Sequence, residues 1–179
     1  MNTFALIEEL DQSFSLVTYY TIRFVYDDEQ DELSEFEKFV TKHENDKLIY
    51  QEYQDIMSWV MEIGDEKGAQ SRFFTRNENK AQALPPKKGD LLPREKSLYV
   101  KQQHNLRLYC LRINENIVFL FNGAVKTPGR ITAQECRQVR LYFQMANTLA
   151  AKIDEALGDN AINVNGLKLE VEKGFELTL

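Results

Sequence analysis

The chain holds few of the residues that announce a function by themselves. It has two cysteines, Cys110 and Cys136, in no CxxC spacing, and two histidines. A disulfide framework and a Cys/His zinc site are therefore not expected, and the compartment reads as reducing cytoplasm. Four prolines and eight glycines in 179 residues leave no low-complexity stretch. The longest apolar run, residues 117–121, falls far short of the roughly 20 residues that cross a bilayer. The N-terminus, Met1-Asn2-Thr3-Phe4, lacks the basic start and apolar core of a signal peptide, so neither export nor membrane insertion is expected. A Rossmann glycine pattern, a Walker loop, G-x-S-x-G and H-E-x-x-H are all missing, which removes the usual support for nucleotide-dependent and zinc-hydrolase chemistry.

What is present is an ordinary globular composition, 43% hydrophobic, 28% charged and 11% aromatic. A chain of this length forms one domain and buries about 70% of its unfolded surface. The net charge of −6 is unevenly spread. Residues 1–66 carry 4 basic and 17 acidic side chains, a net of −13, residues 67–140 carry 15 and 5, a net of +10, and residues 141–179 carry 3 and 6, a net of −3. Local potential steers association more than net charge does, so the basic middle suits a phosphate or an acidic partner. Internal ion pairing between acidic helices and a basic sheet is an equally good reading.

Residues 16–26 are rich in β-branched and aromatic side chains and alternate at Tyr20, Ile22, Phe24 and Tyr26, which predicts a strand. Leu33, Phe36 and Val40 then recur at helical spacing, and Ile49, Tyr53, Ile56, Val60 and Ile63 form a second apolar stripe that Gly64 closes. A helical hairpin is expected there, the second helix capped by Asp46. Residues 72–84 read as extended, residues 85–93 as a basic Pro/Gly loop, and 98–100, 106–113 and 117–121 as strands, the last two joined by a tight turn at Asn114-Glu115-Asn116. Thr132 with Glu135 makes a capping box for a long helix striped by Val139, Phe143, Ala146, Leu149, Ile153 and Leu157 and closed by Gly158. Asn165-Gly166 marks a terminal hairpin of type I′. The expected fold is α+β over residues 1–179 as a single domain: a curved antiparallel sheet with an N-terminal helical hairpin and a long C-terminal helix, 16–157 forming the core and 158–179 a terminal hairpin or tail.

Several residues invite chemistry and have a plainer reading. Cys110, in the strand RLYCLRI, with His104 six residues away, reads as a buried apolar thiol rather than a nucleophile. His104, among Gln102, Gln103 and Asn105, reads as an exposed turn residue, and Trp59 as core. The carboxylates fall in runs that suit solvated faces and caps rather than a metal site, and no cofactor is called for. The cations differ. Arg72, Arg76, Lys80, Lys101, Arg107, Arg112 and Lys126 interleave with Phe73, Phe74, Tyr99 and Tyr109 on predicted strands. Cations meeting phosphates and rings stacking on bases is the chemistry of an RNA-binding sheet. Alternate residues of any amphipathic strand also face solvent, and that reading stands beside the first.

The strand LRLYCLRI (106–113), the apolar strand IVFLF (117–121) and the following NGAVKT (122–127) resemble the RelE/ParE toxin superfamily, nearest its HigB-like branch, which shows an L-R-x-x-Y/F-x-R strand, an apolar strand and a G-x-x-K-K-T end. The likeness spans residues 68–150 loosely and 106–127 specifically. It implies a RelE-like fold and a toxin of a type II toxin-antitoxin system: a cytoplasmic, metal-independent endoribonuclease that cleaves messenger RNA, often on the ribosome, and is silenced by a co-encoded antitoxin protein. Arg107 matches the arginine of the first strand, Lys126 the first lysine of the G-x-x-K motif and Arg112 a strand-end arginine, while Thr127 stands where a second lysine would be. On chemistry, Lys126 among cations suits a base, Arg107 a phosphate clamp and Tyr109 a stacking partner or proton donor, with Arg72, Arg76, Lys80, Lys101 and Arg112 as RNA contacts. A catalytically inactive RNA- or protein-binding module of the same fold is the alternative.

Overall fold

Two strands open the chain, where the sequence pattern announces only the second. In the computed structural model, which describes residues 3–127, 136–137 and 139–179, β1 (Thr3–Glu9) and β2 (Thr18–Tyr26) pair antiparallel from Thr3 opposite Tyr26 to Glu9 opposite Tyr20. A short β3 (Glu29–Gln30) folds back on β2, and only then come α1 (Glu35–His43) and α2 (Tyr50–Glu62). The first strand forms because its backbone finds partners on both sides: β2, and at Phe4 and Ala5 the last strand, β10 (Leu177–Thr178).

The main sheet adds β4 (Asn77–Glu78), β5 (Ala81–Leu84), β6 (Leu106–Asn114) and β7 (Ile117–Val125) in the order β10-β1-β2-β7-β6-β5-β4. It is mixed rather than antiparallel, because β2 and β7 run parallel, a pairing that needs a crossover, which passes through α1 and α2. The third helix, α3 (Arg140–Gly158), has 19 residues and does not end the fold. After it, β8 (Ile162–Asn165) and β9 (Lys168–Val171) make a separate hairpin, and β10 returns to the main sheet. The expected RelE-like arrangement, an antiparallel sheet with an N-terminal helical hairpin and a long C-terminal helix, is therefore replaced by an α+β fold with a strand-first, mixed sheet. The expected capping box at Thr132 and Glu135 lies outside the described residues. The terminal hairpin turns at Gly166-Leu167, with Gly166 at φ 61°, one residue beyond the expected position.

Period-2 alternation sorts the sheet into two cores. Tyr20, Ile22, Phe24, Tyr109, Leu111, Phe119 and Phe121 pack under Phe143, Ala146, Leu149, Ala150 and Ile153 of α3. Val17, Tyr19, Leu106, Leu108, Cys110, Val118 and Leu120 pack under α1 and α2, where Phe39, Ile56 and Trp59, and Ile63 just after α2, are fully buried. Each large side chain so buried contributes on the order of 1.5–3 kcal/mol. Cys110 belongs to this core, and burial pushes its thiol far up, which keeps it protonated.

Local signals set the helix starts. Ser34 caps α1 reciprocally with Glu37, and the Thr21 hydroxyl on β2 accepts the Phe36 N–H at 3.1 Å. Asp46 does not cap α2; its carboxylate accepts the Leu48 N–H, and α2 begins at Tyr50. Residues 98–100 are not a strand, because a 3-10 turn at Glu95–Leu98 leads into them. Between Leu108 opposite Gly123 and Cys110 opposite Leu120, β7 holds two residues against one of β6. This bulge turns Asn122 toward Glu35 of α1 and returns Ala124 to the α3 side opposite Arg107. A Cβ at Gly123 would lie 1.8 Å from the Arg107 carbonyl oxygen, so only glycine fits.

Candidate functional site

Because both faces of the sheet are covered by helices, β6 has no solvated side, and Arg107 is 7% exposed. Its Nη1 donates to the carbonyls of His104 at 2.7 Å and Leu106 at 3.0 Å. Burial, and then Arg76 beside it, pull the guanidinium down to about 10, so it stays cationic at neutral pH. Lys126 follows β7 directly, half-buried, and its N–H donates to the Asn105 carbonyl at 2.8 Å, which ties it to the Arg107 end of β6. Arg76 precedes β4, donates through Nε to the Pro85 carbonyl at 2.7 Å, and has its pKa lowered by burial.

These cations share one carboxylate that sequence reasoning missed. Glu78 on β4 is half-buried, and burial raises its pKa against the opposing pull of Arg107, Lys126, Arg76 and Lys87, in that order. Its signal was present: Glu78 is the only acid between Glu66 and Asp90. Tyr109 completes the cluster from beneath. Burial, and then Glu78, push its phenol far up, and its hydroxyl is buried without a hydrogen-bond partner. Tyr99, whose hydroxyl donates to the Pro86 carbonyl, is also pushed up by burial, with Arg76 and Arg107 opposing. Among the described residues the cations outnumber the acids here, a balance that favours an anion, and the carboxyl of Glu78 is raised above that of an exposed one.

Arg76, Arg107, Tyr109 and Lys126 are thus brought together, and the other predicted contacts are not. Arg72 makes a bidentate pair with buried Glu95, both bonds 2.5 Å, and its guanidinium lies 4.3 Å over the Phe73 ring. Arg112, toward the far end of β6, donates to the Ala69 carbonyl at 2.5 Å. Lys101 is exposed, 4.0 Å from Glu52, and Lys80 is exposed in the β4–β5 turn, whose N–H groups Asn147 of α3 holds. The expected open aromatic face is also corrected. Phe73 and Tyr109 are fully buried and Phe74 and Tyr99 nearly so, because α2 and α3 need them as core, and none presents a ring to a base.

His104 reverses its expectation too. Its side chain is 3% exposed, and Nε2 lies 2.6 Å from Asp55 on α2. Burial lowers its pKa while Asp55 opposes, so the neutral ring donates from Nε2. Asp55 also accepts the N–H groups of Val100 and Lys101, and Glu52, one turn earlier, accepts those of Asn105 at 2.9 Å and Leu106 at 2.7 Å. Two acids three apart on one helix face therefore clamp the loop that delivers Arg107.

Among the described residues no three His, Cys, Asp or Glu side chains gather as metal ligands, and no helix is long and apolar enough to cross a membrane. No family model, no curated protein and no solved structure matches the chain.

Proposed function

We propose that the chain is an RNA-cleaving toxin that works without a metal from the cluster at the Arg107 end of β6 and β7. The observation that carries this reading is the gathering of Arg76, Lys87, Arg107 and Lys126 around the half-buried Glu78. The resemblance of residues 106–127 to RelE/ParE toxins motivates the choice of RNA, and with it a co-encoded antitoxin partner, a cytoplasmic site of action and ribosome-bound messenger RNA as substrate.

Cleavage of an RNA strand needs a base for the 2′-OH proton, an acid for the departing O5′ and cations around the phosphorane. Glu78, with its raised pKa, takes the 2′-OH proton as that oxygen attacks the adjacent phosphorus. Arg107 and Arg76 hold the phosphoryl oxygens as charge develops. Lys126 gives a proton to O5′ as the P–O5′ bond breaks, leaving a 2′,3′-cyclic phosphate and a 5′-OH. Lys126 is thereby better suited to the acid than to the base, because the carboxylate beside it supplies the base.

A second reading has its own support. Arg107 is 93% buried and spends two hydrogen bonds on backbone carbonyls, as a scaffold residue of a non-cleaving RNA-binding module would. The test is end-labelled RNA incubated with purified protein in EDTA, beside Lys126→Ala and Glu78→Gln, with circular dichroism to confirm folding. Cleavage leaving 5′-OH ends, lost in both folded variants, supports the enzyme. Salt-sensitive RNA affinity without cleavage supports the module, and no affinity for RNA removes both readings.

A further inference from the structure

A cavity with a mixed polar and apolar lining opens beside the cluster. It measures about 440 Å³, within the range of roughly 300–1,000 Å³ typical of small-ligand sites. Lys42 and His43 at the end of α1 and Asp46 just after it form one wall, Leu141 and Tyr142 at the start of α3 the other, and Ala124 of β7 lies between. Ala124 is the cross-strand partner of Arg107, so the cavity and the cationic cluster meet across one residue pair.

Three features of its walls point to a ligand. Lys42, one of four basic residues among the first 66, makes no ion pair among the described residues. Its ammonium donates to the Tyr142 hydroxyl at 3.1 Å and lies 4.7 Å from the centre of that ring. His43 is 2% exposed, and both its ring nitrogens are buried without a hydrogen-bond partner; the Gly123 backbone lies beside the ring without closing a bond of good geometry. A buried polar group left unmatched is costly, and a ligand's polar edge would satisfy it once the ring turns toward the cavity, because neither nitrogen reaches the surface as the side chain stands. Leu141 is 75% exposed, an apolar surface beside the cation.

We infer that this cavity seats one ribonucleotide unit of the RNA strand next to the one held by the Arg107 cluster, with its phosphate on Lys42, its base against Leu141 and the Tyr142 ring, and a polar edge of that base on His43. This rests on the RNA reading proposed above. It adds a second contact point along the strand, which would let the protein bind a dinucleotide more tightly than either unit alone.

The test is an NMR titration of the intact chain with adenosine 5′-monophosphate and uridine 5′-monophosphate, following the His43 and Tyr142 ring signals, beside inorganic phosphate and adenosine alone. The expected result is a shift of both rings with the nucleotides at lower concentration than with either fragment. Lys42→Ala, at an exposed position, weakens that binding about tenfold and Lys42→Arg restores most of it. Equal responses to phosphate and nucleotide would overturn the inference in favour of a plain anion site. Rings that stay silent while RNA affinity still falls in Lys126→Ala would overturn it and leave the RNA reading intact. Nucleotide binding at His43 by a protein that cleaves no RNA would support the cavity and remove the cleavage reading.

Discussion

At the Glu52–Asp55 clamp each buried carboxylate meets matching donors, whereas around Glu78 the cations among the described residues exceed the acid they surround. Both groups lie against the loop of residues 99–105, and both contain charge taken out of water. In the clamp, Asp55 is closed by His104, Gln51 and two backbone N–H groups, and Glu52 by two more, so both carboxylates are matched and only His104 Nδ1 is buried without a partner. Around Glu78, Arg107, Lys126, Arg76 and Lys87 act on a single carboxylate that burial still holds above its ordinary pKa. Carboxylates closed by matching donors fix a conformation, whereas a carboxyl that burial still holds above its ordinary pKa is suited to moving a proton.

The largest effect should come from opening the clamp. Asp55→Ala leaves His104 Nε2 and the N–H groups of Val100 and Lys101 unmatched in a buried setting. The expected cost is roughly 2–4 kcal/mol, read as a lower urea midpoint with unchanged slope. A loss under about 1 kcal/mol would mean that the clamp is not saturated structure and would dissolve the comparison. The converse variant is Lys126→Ala at a half-buried position. It should lower RNA cleavage by about 100-fold or more while leaving the urea midpoint within about 1 kcal/mol of the original. Two variants that both lost stability, or both lost cleavage alone, would show that the two regions share one role.

Sequence patterns made the cores legible and the charges illegible. The helical stripe Ile49, Tyr53, Ile56, Val60 and Ile63 is buried, as its spacing implies, and so are Phe143, Ala146, Leu149 and Ile153 of α3. Tyr20, Ile22 and Phe24 take one face of β2, as alternation implies. What failed was long-range. β1 depends on β2 and on β10, more than 170 residues away, and the parallel pairing of β2 with β7 joins Thr18 to Ile117. Arg107 looked like the solvated member of an alternating strand because nothing local says that α3 covers that face. His104 looked exposed among Gln102, Gln103 and Asn105, yet Asp55, 49 residues earlier, draws it inside. Of the cluster, Arg76, Arg107, Tyr109 and Lys126 were legible because cations and rings recur on strands, while Glu78 was marked only by being the lone acid between Glu66 and Asp90, a signal without periodicity.

Acid should act first on the two buried histidines, His104 in the clamp and His43 at the end of α1. Burial lowers the pKa of both His43 and His104. The unfolded chain takes up protons on them near pH 6.5 while the folded chain does not, so the unfolded state binds more protons in that window and stability declines as pH falls through it, by at most about 1.4 kcal/mol per pH unit for each ring. Glu37 and Glu95, held below their ordinary pKa by Ser34 and Arg72 respectively, add stability above about pH 4.5 that is lost below it. Thermal unfolding between pH 7.5 and 5.5 checks the first window. A curve flat down to pH 5.5 would mean that the two rings are charged when buried.

The smallest effect has the opposite sign and separates the two regions most directly. Burial raises the folded pKa of Glu78, so the folded state favours its neutral form more than the unfolded chain does. Its ionised form is therefore a cost that is absent below the unfolded pKa and is felt in full once pH rises above the folded value. Glu78→Gln mimics the neutral form and should stabilise the protein at pH 7 by less than about 1 kcal/mol, a gain that vanishes at pH 4. The same substitution removes the carboxylate assigned to the 2′-OH proton and should abolish cleavage. Stability gained where activity is lost is the signature of charge held for a reaction rather than for the fold. Destabilisation by Glu78→Gln at pH 7 would instead place Glu78 with Asp55, as one more carboxylate that its neighbours close.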